Sequence, residues 1–215
     1  MGVLAVPVLF LINPDLVPGP SLCTMALLTL AMTHRDRHAV LFHDLKWALG
    51  GRLVGVGAAL AFLSFLPAQV LGPLFGVLVL AAVALSASGL HLRPSPRTLL
   101  GAGALSGFMG TTVSIGGPPI ALLYQHEDGS TVRGTLSAYF TIGVTISLVG
   151  LSLIGRFGWA QIRLVGFLLP GTVVGFLLAP RLHGLLDRGY MRGAILALSA
   201  VMGLGVIAKY LLGGA

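Results

Sequence analysis

LVGVGAALAFLSFLPAQVLGPLFGVLVLAAVALSASGL, residues 53–90, runs for 38 positions without an Asp, Glu, Lys or Arg. At 1.5 Å per residue a helix of that length extends about 57 Å, roughly twice the hydrocarbon core of a bilayer. The stretch therefore holds two membrane spans, and Pro67 marks the turn between them. Outward from it the chain keeps the same character. Of 215 residues, 56% are apolar and 9% charged, against about 25% charged in a soluble domain, and the mean hydropathy is +0.97. A water-soluble fold of this size needs far more charge to cover its surface. A soluble enzyme and a nucleic-acid-binding module are excluded. The net charge of +7 comes from Lys and Arg spread over short loops, which read as topology signals.

Charge-free runs place the other spans at 16–33, 134–155, 163–180 and 193–212, the third interrupted at Pro170-Gly171 and the last able to snorkel Lys209. HRDRHAVLFHDLKW (34–47) and HLRPSPRT (91–98) are polar loops outside the hydrocarbon. Trp47 and Trp159 flank spans, where indole rings favour the headgroup region. If the segment 99–125 crosses, one side receives Arg35, Arg37, Lys46, Arg52, Arg93, Arg97, Arg156, Arg163 and Lys209, nine of the 13 basic residues. If it is re-entrant, the split becomes ten to three. Either way, loops 34–47 and 91–98 are expected in the cytoplasm of a multi-pass membrane protein. Cys23 is the one cysteine and is expected to pack in its apolar run, and no CxxC or Cys/His metal spacing exists. The first dozen residues, MGVLAVPVLFLI, lack the basic start and cleavage site of a signal peptide and open as if partway through a membrane segment.

The two halves resemble each other. VPVLFLINPD (6–15) lies beside PPIALLYQHED (118–128), each a proline-led apolar piece running into an acidic loop. Gly51 and Gly55 match Gly171 and Gly175. Weak internal symmetry with a Gly/Pro-interrupted segment in each half is a mark of secondary transporters. The expected fold is an all-α integral membrane protein, a polytopic helical bundle of two related repeats, 1–96 and 97–215. The glycine pairs themselves read as close-packing faces between helices.

GFMGTTVSIGGPPIALLYQ, residues 107–125, is the break in the second half. A helix is expected to end near Gly110, followed by Thr111, Thr112, Ser114, Gly116 and Gly117, and a new apolar helix to start at Pro118-Pro119, since proline suits a first turn. Irregular backbone in lipid costs several kcal/mol per unsatisfied group unless it lines a cavity or is enclosed by protein. Two readings remain open on composition: a structural kink whose hydroxyls satisfy their own backbone, or an anion site built from free amides at a helix start, hydroxyl donors and glycines that admit a ligand.

IGGPPIALLYQ (115–125), followed by a short polar loop and VRGTLSAYF (132–140), resembles the second-repeat signature of the sulfite exporter TauE/SafE family of bacterial membrane transporters. The opening GVLAVPVLFLINPDLVPGPSL (2–22) resembles the first-repeat counterpart. The resemblance implies an exporter or facilitator of sulfite, sulfonates or related sulfur compounds. It implies a substrate path formed by both motif regions, with Pro7 in one and Gly110, Thr111, Thr112, Ser114, Gly116, Gly117, Pro118, Pro119 and Gln125 in the other. Relative to the family, the first repeat lacks its first helix and most of its glycine run. The expectation is a start codon assigned downstream of the true one, or else a shortened product.

All six acidic residues and all six histidines are expected in loops, so the chain offers no intramembrane proton relay and no buried carboxylate pair for hydrolysis. An intramembrane enzyme is disfavoured. Arg52 and Arg133 stand closest to span ends: Arg52 either snorkels to headgroups or attracts anions to a vestibule, and Arg133 reads as a topology charge. Tyr124 and Gln125 are placed to cap the cavity. The expected partners are a small anion and the lipid bilayer, with no cofactor, metal or nucleic acid, and homo-oligomerisation is left open. The competing reading is a non-transporting membrane scaffold or assembly protein.

Overall fold

The computed structural model describes residues 2–212 apart from 91, 126 and 187–189, and their side chains apart from 68–69, 179–186, 190–192 and 212. Nine helices follow along the described chain: α1 Gly2–Ile12, α2 Gly19–Asp36, α3 Phe42–Phe65, α4 Ala68–Ala87, α5 Pro96–Val113, α6 Gly117–Ala121, α7 Gly129–Leu153, α8 Trp159–Leu186 and α9 Tyr190–Leu212. Six of them, α2, α3, α4, α7, α8 and α9, are long and apolar enough to cross a membrane. No strand occurs among the described residues. The all-α polytopic architecture expected from the charge-free runs is present.

Local sequence explains the boundaries. α3 stops at Leu66 because Pro67 cannot continue it, and Pro67 then stands as the N-cap of α4. α5 opens on a capping box: Ser95 Oγ accepts from the Thr98 amide at 3.3 Å, and the Ser95 amide donates to Thr98 Oγ1 at 2.9 Å, with Pro96 in the first turn.

Three expectations fail in detail. Segment 34–47 is mostly helix: α2 runs on to Asp36, Arg37–Ala39 form a 3-10 turn, and α3 begins at Phe42. His34, Asp36, His43 and Asp44 therefore sit on helix ends that outrun the apolar stretch and His183 falls in the last turn of α8, while His91, His126 and Asp187 lie outside the described residues. Pro170-Gly171 does not interrupt α8, which continues through both. A proline inside a helix forfeits one backbone bond, a loss that membrane helices tolerate, and Thr172 Oγ1 donates to the Leu168 carbonyl at 2.8 Å in that same turn. Finally, the helix before the break ends at Val113 and not near Gly110.

Helices pair chiefly as α3 with α5, α2 with α7, and α4 with α9. The α3–α5 seam is the tightest. Gly51 and Gly55 of α3 lie directly against the Leu100 and Ala104 carbonyls, and Gly103 and Gly107 of α5 lie against the backbone of Ala48 and Arg52, leaving no room for a Cβ at any of the four. Small residues on both helices bring the backbones together, as in membrane bundles generally. The matching pair Gly171 and Gly175 on α8 meets nothing within 4 Å. That glycine pair is no packing face among the described residues.

Burial is inverted relative to a soluble protein. Val54, Phe65, Leu153 and Phe167 are largely exposed, on surfaces that lipid would cover, whereas Arg52, Ser106, Thr111 and Ser147 are buried. Two apolar clusters flank this polar interior. One gathers Leu22, Leu45, Leu99, Ile120 and Tyr139. The other gathers Val6, Phe10, Val79, Met109, Ile115 and Val206, with Phe10 stacked on Phe75 at 3.9 Å.

The broken segment turns back on itself. Gln125 Nε2 donates to the Leu90 carbonyl at 2.9 Å, so the segment leaves beside the connector from which α5 entered. The start of α7 lies there too, since Arg133 Nε is 3.8 Å from Asp36 Oδ2 and the Leu41 amide donates to Thr135 Oγ1 at 3.0 Å. At the other end of the bundle Arg156 Nη2 donates to the Leu63 carbonyl at 3.0 Å. Segment 96–125 is therefore a re-entrant hairpin.

Candidate functional site

The tip of this hairpin is where α5 is forced to stop. Ser114 takes the left-handed conformation at φ 58°, its amide donates to the Gly110 carbonyl at 2.9 Å, and the Ile115 amide reaches back to the Met109 carbonyl at 3.4 Å. A left-handed residue that is not glycine costs about 1 kcal/mol or more. Here the side chain compensates: Ser114 Oγ donates to the Pro18 carbonyl at 3.1 Å and accepts from Ser21 Oγ at 2.8 Å, tying the tip to the start of α2. The chain then doubles back so that Gly116 lies beside Gly110, and its carbonyl accepts from Ser106 Oγ at 2.6 Å.

The hydroxyls proposed as ligand donors are each occupied. Thr111 Oγ1 pairs with Ser147 Oγ at 2.9 Å, and Thr112 Oγ1 bonds back to the Phe108 carbonyl at 2.7 Å. The restarted helix, α6, has five residues, with Pro118 and Pro119 in its first turn. Proline has no N–H to offer, and so short a helix sums only a small dipole. The positive charge at the hairpin comes from elsewhere.

It comes from Arg52. Residues 45, 48, 51, 52, 55, 56, 59 and 63 form the buried stripe of α3, and at helical spacing Arg52 falls on the face that the glycines press against α5. Its side chain is 1% exposed, so it does not snorkel to the headgroups. The guanidinium carbon lies 4.9 Å from the Tyr139 ring centre and 5.5 Å from that of Phe140. Nη1 donates to Ser106 Oγ at 3.4 Å, and Nε is buried with no partner. Gly143 of α7 leaves the notch that the guanidinium fills, and a Cβ at Gly110 would stand 3.5 Å from Nη2. Arg52, Ser106 and Gly143 sit near the middles of α3, α5 and α7.

No described carboxylate pairs with this cation: the ion pairs are Arg35 and Arg133 with Asp36, and His43 with Asp44, all at helix ends. Burying an unpaired charge costs several kcal/mol even after relaxation. A desolvated cation–π contact returns about 2 kcal/mol and one hydrogen bond to a charged group about 1.5–3 kcal/mol. A guanidinium has five N–H donors in a planar fork, so most of its capacity stands unused at the hairpin.

The fold thus brings Gly110, Gly116 and Arg52 together, with Gly117 at the start of α6, where a Cβ would meet nothing within 4 Å. Thr111 lies one helical turn of α7 away, through Ser147. Thr112 instead lines a cavity of about 370 Å³ on the Arg156 side, shared with Asp15, Pro18, Gln161 and Tyr210. Pro118 and Pro119 are buried in α6. Pro7 is buried inside α1, whose first residue, Gly2, approaches the Ser114 carbonyl at 4.0 Å by its Cβ position. Gln125 is exposed and holds the Leu90 and Leu122 carbonyls, away from the guanidinium. Sequence reasoning missed Ser106, Gly143, Tyr139 and Ser147, for which no local signal exists. It gave Arg52 two readings, though the Gly51–Gly55 face already pointed that side chain inward.

No individually curated protein and no solved structure matches the chain. One family model does, over residues 1–206 of the 215. On that match the chain belongs to the sulfite exporter TauE/SafE family of membrane transporters.

Proposed function

We propose that this chain is an exporter or facilitator of small anions, with sulfite and sulfonates as the leading substrates, acting in a bacterial inner membrane with segments 34–47 and 91–98 toward the cytoplasm. One observation carries the reading: a re-entrant hairpin folds back at Gly116 onto Ser106 and Gly110, beside a buried cation that no described carboxylate balances. An ion path needs non-helical backbone that is enclosed by protein, and intramembrane cations mark such paths. The break at 114–117 and Pro118-Pro119 would form the substrate turn, with Gly110 and Gly116 giving close approach. An inside-negative potential assists anion export by about 2.3 kcal/mol per charge per 100 mV.

The two halves would serve as inverted repeats, 1–96 and 97–215. α1 starts beside Ser114 and ends at the Arg156-side cavity, which Pro14 and Asp15 line, while α6 starts beside Gly110 and leads to the opposite side at Gln125. Opposed segments of this kind are how transporters place a site at mid-depth. Gly117→Phe tests the reading, because the space at Gly117 is open and folding should survive. Efflux of sulfite or methanesulfonate from proteoliposomes should be lost with an unchanged elution profile in detergent. Wild-type flux in the variant would count against the hairpin as the path.

A further inference from the structure

We infer that Arg52 grips the transported anion, and that the site accepts singly charged oxyanions and refuses doubly charged ones. This rests on the transport reading above and adds the ligand and its charge class. The guanidinium is 1% exposed, yet Nε has no partner and Nη1 has only a 3.4 Å contact to Ser106 Oγ. A planar fork with unused donors matches the two oxygens of a sulfonate or bisulfite in bidentate fashion. Gly143 makes the notch that the guanidinium itself occupies, and Gly110 brings the hairpin backbone close to Nη2, with no side chain between them.

The charge class follows from counting. One cation meets one negative charge and the buried pair is neutral. A dianion would leave a net negative charge in the interior, and an uncompensated buried charge is strongly unfavourable. Among the described residues no second cation stands beside the guanidinium to prevent that. Arg156 is occupied at the far end by the Leu63 and Leu66 carbonyls, and Arg133 pairs with Asp36. The aromatic faces of Tyr139 and Phe140 stabilise a cation and repel an anion, so they hold the guanidinium without competing for the ligand.

The test uses the full chain with methanesulfonate, a fixed monoanion, and sulfate, a dianion. Flux is measured in proteoliposomes and thermal unfolding in detergent with each salt. Methanesulfonate should cross and raise the Tm, and sulfate should do neither. Arg52→Gln should lose both effects while its ligand-free Tm stays level or rises, because an unpaired buried charge is gone. Arg52→Lys keeps the charge and the fold but lacks the fork, and should bind methanesulfonate at least tenfold more weakly. A purely structural Arg52 would instead lower the ligand-free Tm in Arg52→Gln and leave methanesulfonate stabilisation intact in Arg52→Lys. Wild-type flux in Arg52→Gln, or sulfate carried as well as methanesulfonate, overturns this assignment and leaves the transport reading standing. Stabilisation of the wild type alone, with no flux of any anion, keeps the grip and removes the transport.

Discussion

Arg52 of α3 occupies the notch left by Gly143 of α7: a Cβ on Gly143 would collide with the guanidinium. A missing side chain on one helix thus makes room for a charged one on another, at mid-bundle. Gly143→Ala should therefore push the guanidinium off its position over Tyr139. Overpacking of this kind costs about 1–3 kcal/mol, and flux should fall with it. In a double-mutant cycle, Arg52→Met should cancel most of that destabilisation, since the two residues act through one contact. Additive effects on unfolding in detergent would show that they do not.

The two glycine pairs should respond oppositely to the same change. Gly51→Leu must separate α3 from α5 and should abolish a monodisperse folded fraction in detergent, because its Cβ would enter the Leu100 backbone. Gly175→Leu faces open space and should leave the Tm within a few degrees. Size-exclusion profiles and thermal unfolding of the two variants check the contrast.

Ser106 joins the hairpin to the cation, giving its proton to the Gly116 carbonyl and taking the weak Nη1 bond from Arg52. Ser106→Ala leaves both groups short of a partner and should cost about 1–3 kcal/mol. Ser106→Cys keeps a weak donor of similar shape and should lose less. Chemical or thermal unfolding of both variants would read the order.

Ser114 holds a backbone conformation that L residues avoid, at φ 58°. Ser114→Val adds a β-branched side chain at that φ and removes the hydroxyl on the Pro18 carbonyl. Destabilisation should exceed 2 kcal/mol, roughly the strain and the lost hydrogen bond together. Ser114→Gly removes the strain along with the hydroxyl and should come out milder. Equal losses for valine and glycine would mean that the tip carries no strain.

Composition and charge spacing alone determined that this chain is a bundle of apolar helices with six spans, because lipid admits only segments that satisfy their own backbone and carry few charges. That a break lies in 107–125 was legible from its run of glycine, hydroxyls and double proline, although the helix before it runs three residues further, to Val113, than that run suggested. Its chemistry was not. Local reading left two chemistries open, a kink whose hydroxyls satisfy their own backbone and an anion site with Thr111, Thr112 and Ser114 as donors; in the structure those hydroxyls bond to Ser147, Phe108 and Pro18, partners set by the fold or by helix geometry. Whether 99–125 crossed or returned also waited on tertiary contact, the bond from Gln125 to Leu90. Arg52 shows the limit most clearly. One charge next to a glycine reads as the end of a span when only hydropathy is weighed. Once Gly51 and Gly55 are pressed against α5, helical geometry leaves that side chain no direction but inward, and only the packing of three helices decides what it meets there.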